Sequence, residues 1–253
     1  MMMYRHVQYL LLIGFLFAAP ASAEPRPTIT EVEPPANILF VGNSFTFYNN
    51  GLHNHLRYMM EAGGRVPGTL RAMTISGASL AEHAPALPAM LQFADWDVVI
   101  LQGHSLEAIE AERLPGFRDA VQVFGEQIRD VGARPVLFMT WARTGQPEQT
   151  APLNENYTAA GNKAQALVVP VGLAFEKSTN EKNGIALRLA DLRHPTLAGS
   201  YLAACTFYAA LFGKSPVRHP YTAGLDPRTA WTLQRIAAET VEAYYGRDLD
   251  ETD

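Results

Sequence analysis

Past residue 24 the chain alternates short, almost wholly apolar runs with longer stretches in which apolar residues recur every three or four positions. The short runs are Asn37–Val41, Leu70–Ile75, Asp97–Leu101, Pro135–Trp141 and Ala166–Val171. Their length and their lack of a polar face predict strands of a parallel sheet covered on both sides. Among the longer stretches, Phe117, Val121, Phe124 and Ile128 share one helical face, and Gly132 follows as a C-terminal cap. Pro195 to Phe212 is apolar nearly all round, which predicts a buried helix ended by Gly213. Asp226-Pro227 opens a last helix whose Leu233, Ile236, Ala237, Val241 and Tyr244 line one face. Five strands alternating with helices predict an α/β fold: a three-layer α/β/α sandwich around a five-stranded parallel sheet, in one domain over 37–253.

The first residues follow a different pattern. Arg5 and His6 precede an apolar run from Tyr9 to Ala19, and Ala21-Ser22-Ala23 supplies the small-x-small motif of a signal peptidase site. The run is short for a membrane span. It reads as a signal peptide over 1–23, cleaved after Ala23, with an uncleaved anchor as the alternative. That reading implies a secreted or periplasmic protein without stable membrane association after cleavage. Pro25, Pro27, Pro34 and Pro35 make 24–36 a lead-in strap.

Hydrophobic residues make up 48% of the chain and charged residues 18%, which suits a globular core rather than disorder. The net charge is −5 and no Lys/Arg run occurs, so a nucleic-acid partner is disfavoured. The one cysteine, Cys205, sits in an apolar stretch and reads as a buried thiol.

In a covered parallel sheet, ligands gather at the carboxyl ends of the strands. There the sequence places Gly42-Asn43-Ser44-Phe45 after the first strand and Ser76-Gly77-Ala78-Ser79 after the second. Gln102-Gly103-His104-Ser105 follows the third, and Asp191-Leu192-Arg193-His194-Pro195 lies beyond the last. Taken singly, each suits an ordinary turn or helix start. Together they supply a nucleophile, a base, a carboxylate to orient it, and amide donors, which is the inventory of an acyl-transfer site. Nothing in that inventory requires a metal or a cofactor.

Gly42-Asn43-Ser44-Phe45, Gly77 and Asp191-x-x-His194 resemble, in order and spacing, the blocks of the SGNH (GDSL-like) hydrolases, whose fold is flavodoxin-like. The resemblance implies a Ser44/His194/Asp191 triad and an oxyanion hole made by the amides of Ser44 and Gly77 with a third donor. The family's third block is usually Gly-x-Asn-Asp. Gln102-Gly103-His104-Ser105 departs from it and is similar to the Gln-Gly-Glu-Ser of sialate and xylan acetylesterases. By that likeness Gln102 is the side-chain donor, with Ser105 the alternative if the blocks align through Gly103. Asn43, His104, Ser105 and Trp141 are candidate substrate contacts, although His104 also reads as a neutral loop histidine and Trp141 as a core aromatic. The implied activity is a carboxylic ester hydrolase acting on a short acyl ester of a carbohydrate or small molecule.

Other features carry less. His53 and His55 do not share a helical face and read as solvated surface rather than a metal pair. Gly213-Lys214-Ser215 lacks the earlier glycine of a phosphate loop and reads as a helix end. Asn156-Tyr157-Thr158 is a glycosylation acceptor by pattern. An α/β-hydrolase is disfavoured because Thr46 stands where its Gly-x-Ser-x-Gly elbow needs glycine. An acyltransferase using the same site, and an inactive carbohydrate-binding module, are the competing readings.

Overall fold

A computed structural model describes residues 25–182 and 184–251. Its strands are β1 (Ile38–Gly42), β2 (Leu70–Thr74), β3 (Val98–Leu101), β4 (Arg134–Phe138) and β5 (Leu167–Val169). They pair in parallel in the order β2-β1-β3-β4-β5, bearing out the fold class. The segment read from the sequence as a signal peptide lies outside the described residues, and none of the described helices is long and apolar enough to cross a membrane.

Alternation along each strand sends side chains to two separate cores. Ile38, Phe40, Val98, Ile100, Val136 and Phe138 face helices α2 (Leu52–Ala62), α6 (Val171–Asn180), α7 (Leu197–Phe212) and α8 (Pro227–Tyr245). Leu39, Val41, Val99, Leu101 and Leu137 face α3 (Leu87–Leu91), α4 (Leu114–Asp130) and α5 (Thr150–Ala164). Helix α7 is buried over nearly its whole length and carries Cys205, whose thiol is inaccessible.

Several boundaries differ from the sequence reading. β4 ends at Phe138 rather than Trp141, because the chain leaves the sheet there and buries Trp141 elsewhere. β5 is only three residues long, and Val171 already belongs to α6. β2 is an edge strand, buried only at Leu70 and half-buried or exposed beyond it, so it is not covered on both faces. α7 starts at Leu197 with Thr196 as its N-cap, while Pro195 stays outside in a bridge to Arg188. A proline there cannot donate, and it disfavours helical conformation at His194. The last helix does start where Asp226 predicts, its carboxylate accepting from the Thr229 amide.

The strand order reverses direction between β1 and β3, the switch point at which α/β sheets open a crevice. The loops that carry Ser44 and His104 leave the sheet on either side of that point.

Candidate active site

Ser44 begins α1 (Ser44–Phe47), a single turn capped by Asn43. Asn43 is nearly inaccessible and holds three loops at once. Its Oδ1 accepts from the Phe45 amide at 3.2 Å and from Gln102 Nε2 at 2.9 Å. Its Nδ2 donates to the Ala78 carbonyl at 3.0 Å and the Gly103 carbonyl at 3.4 Å. Asn43 is therefore a buried clamp across the ends of β1, β2 and β3, and it also lines the small cavity beside Ser44.

Gln102 corrects one expectation. Its Oε1 accepts from the Asn43 amide at 3.0 Å and from Thr46 Oγ1 at 2.9 Å. Its Nε2 donates to Asn43 Oδ1 and to the Gly103 carbonyl. Every polar atom of this carboxamide is committed inside the protein, so it supports the Ser44 loop from behind and has no proton left for an oxyanion. Gly42 permits the approach: a Cβ there would lie 2.6 Å from both Gln102 Oε1 and Thr46 Oγ1.

The residues far apart in sequence do converge. His194 Nε2 lies 2.9 Å from Ser44 Oγ, and His194 Nδ1 lies 2.5 Å from Asp191 Oδ2. Asp191 Oδ1 accepts from the amides of Arg193 at 3.0 Å and His194 at 2.9 Å. Burial pushes the Asp191 carboxyl upward, but the imidazole and the two amides outweigh it and hold it down at about 2. A charged carboxylate facing Nδ1 fixes that ring proton on Nδ1, so Nε2 can accept the Ser44 proton.

Aromatic rings pin the imidazole. Tyr48 stacks on it at 4.5 Å with 7° between planes, and Phe45 meets its edge at 5.8 Å. Trp141 is not a pocket wall. Its ring is buried between Phe45 at 4.3 Å and Phe175 at 4.1 Å, and its indole N–H donates to the Arg193 carbonyl at 2.9 Å. It braces the backbone immediately before His194, in keeping with the core-aromatic reading.

A small cavity of about 100 Å³ is lined by Asn43, Ser44, Phe45, Ser76, Gly77, His104, Ser105, Arg193 and His194. Gly77 sits at φ +70°, a left-handed conformation that favours glycine. Neither its amide nor that of Ser44 has an acceptor among the described residues. Ser105 Oγ lies beneath the surface without a hydrogen-bond partner. His104 is half-buried, and Arg113 Nη1 donates to its Nδ1 at 2.9 Å. A guanidinium can only donate, so Nδ1 is bare and the ring proton resides on Nε2. Burial, then Arg113, lower the proton affinity of His104, keeping it neutral. Its loop is anchored by Glu107, which accepts from the His104 amide at 2.7 Å and the Leu80 amide at 3.0 Å. Burial raises the Glu107 carboxyl against those bonds.

His55 overturns the solvated reading. It is buried in α2, accepting from Tyr221 at Nδ1 (2.7 Å) and donating from Nε2 to the Asn49 carbonyl (2.7 Å). Sequence reasoning also passed over Tyr48, Asn49 and Arg193, which touch or flank His194. The Asn49-Asn50-Gly51 run, left-handed at all three residues, was the available signal of a special turn. The glycosylation pattern falls inside α5, where Tyr157 and Thr158 are fully buried.

No family model matches the sequence, and no curated protein does. Solved structures do. A protein described as an SGNH hydrolase, from Slackia heliotrinireducens, matches with TM-score 0.60 and 24% identity over 69% of this chain and 97% of its own. A DUF4886 family protein from Bacteroides uniformis matches with TM-score 0.64 and 20% identity, covering 84% and 96%. The acetyl xylan esterase AlAXEase matches with TM-score 0.56 and 15% identity, covering 69% and 98%. With the parallel five-stranded sheet and its strand order, these likenesses establish that the chain has the SGNH (GDSL-like) hydrolase fold.

Proposed function

We propose that this protein is a serine esterase that removes a short acyl group, acetyl above all, from a carbohydrate or small ester. The observation that carries this reading is the continuous line from Asp191 Oδ2 through both nitrogens of His194 to Ser44 Oγ, at 2.5 and 2.9 Å.

In this mechanism His194 Nε2 takes the Ser44 proton as Oγ attacks the ester carbonyl. Asp191 keeps the imidazole in the right tautomer and stabilises its charged form. The amides of Ser44 and Gly77 donate to the oxyanion, and His104 Nε2–H supplies the third bond in place of the occupied Gln102. The Ser105 hydroxyl, unpartnered and lining the same cavity, is the alternative donor. His194 then returns its proton to the departing alcohol, leaving an acyl-enzyme on Ser44. Water, activated by the same imidazole, releases the acid.

A cavity of about 100 Å³ beside Ser44 favours a small acyl group. The likeness to an acetyl xylan esterase leans the same way. The leader-like segment over 1–23 suits a secreted or periplasmic enzyme that meets such esters outside the cytoplasm. Acetate release from acetylated xylan and from nitrophenyl acetate tests the proposal. The parent should turn over, and Ser44→Ala should lose about 10⁴-fold or more. Equal rates for the two would refute it.

A further inference from the structure

Beside the small cavity lies a second one of about 290 Å³, lined by Arg143, Thr144, Gln146, Asp191, Leu192 and Arg193. Arg193 lines both cavities, so whatever occupies the second is adjacent to Ser44 and His194. Among the described residues, neither Arg143 nor Arg193 has a carboxylate within ion-pair distance. Arg143 Nε is moreover buried without a hydrogen-bond partner. A guanidinium donor in that condition lacks an acceptor that an incoming group could supply.

The local charge is set against the protein as a whole, which carries −5. Asp191 faces the second cavity, but its oxygens are already engaged by His194 and two backbone amides. Arg113 adds a third cation near the site, itself paired with Glu110. Arg113, Arg193 and Arg143 all act on the His104 imidazole, so the three lie within electrostatic reach of the Ser44 pocket.

Resting on the esterase reading above, we propose that Arg143 and Arg193 form a subsite for an oxyanionic group on the alcohol part of the substrate. Planar guanidiniums match the two oxygens of a carboxylate, and they also bind sulfate. The preferred substrate is then an acylated acidic sugar rather than a neutral one.

The test is acetate release from three O-acetylated monosaccharides: a hexuronic acid, its neutral uronamide, and a 6-sulfated hexose. The parent should favour at least one of the charged sugars over the uronamide by about tenfold in kcat/KM. That preference should shrink with salt and collapse in Arg143→Gln and in Arg143→Gln/Arg193→Gln. A gain on the uronate identifies a carboxylate, and a gain on the sulfated sugar alone identifies sulfate. If nitrophenyl acetate is hydrolysed but all three sugars react alike, the subsite is refuted and the esterase reading survives. A preference that persists in the double variant also refutes the assignment. If neither nitrophenyl acetate nor the sugars react, the esterase reading fails and the subsite falls with it.

Discussion

Asn49 Nδ2 donates to the Pro195 carbonyl at 3.0 Å and to Ser200 Oγ at 2.8 Å, tying the turn after Ser44 to the residue next to His194. Ser44 and His194 lie 150 residues apart, so their mutual position depends on such cross-links. Asn49 is held in turn by His55, which donates to its carbonyl and accepts from Tyr221. Asn49→Ala should therefore lower kcat about tenfold with little change in KM, and cost about 1–3 kcal/mol of stability through the acceptors it abandons. Asn49→Asp, which cannot donate, should behave like Ala. An unchanged kcat in both would remove Asn49 from the positioning of His194.

Gln102 and His104 should separate cleanly under mutation. Gln102→Ala leaves buried groups of Asn43 and Thr46 without partners, so urea unfolding should show a loss of about 1–3 kcal/mol alongside lower activity. His104→Ala removes a half-buried side chain at the cavity, so stability should hold while kcat falls about 10²–10³-fold. If His104→Ala keeps full kcat, another group donates to the oxyanion.

The acyl chain should be short. A cavity of about 100 Å³ takes an acetyl group and few further carbons. Across nitrophenyl acetate, butyrate and octanoate, kcat/KM should fall with chain length, steeply after the first. Rising activity with chain length would contradict the cavity's role.

Acid should destabilise the fold earlier than carboxylate chemistry alone would. Burial lowers the proton affinity of His53, His55, His83, His104 and His219 from an ordinary value of 6.5. Below that value the unfolded chain binds protons that the folded chain refuses, so stability present above about pH 6.5 is lost as pH falls. Asp191 acts in a lower window: held at about 2 against an ordinary 3.8, it contributes above 3.8 and loses that contribution toward pH 2. The urea midpoint should drop between pH 7.5 and 5, and less steeply in His55→Gln. A flat midpoint over that range would contradict it.

The sheet was legible because period and length alone separate its buried strands from amphipathic helices, and Asp226-Pro227 marks its helix start locally. The blocks of the candidate site were legible because Ser44, Gly77 and Asp191-x-x-His194 each sit at a strand end or loop. What the sequence hid was direction. Gln102 and Trp141 stand at the predicted edge, yet one carboxamide turns inward to Asn43 and the indole slides between Phe45 and Phe175. Pattern reports which residues reach an edge, not which of them a long-range partner pulls beneath it. His55 misled for the same reason, since Tyr221, its partner, is 166 residues away.

The central claim is that His194 activates Ser44. Reaction with a fluorophosphonate, followed by peptide mass spectrometry, reads this directly. The parent should carry one adduct, on Ser44, and His194→Ala should label at least 10³-fold more slowly while remaining folded by circular dichroism. An adduct elsewhere, or labelling of Ser44 at the parent's rate without His194, would contradict the account.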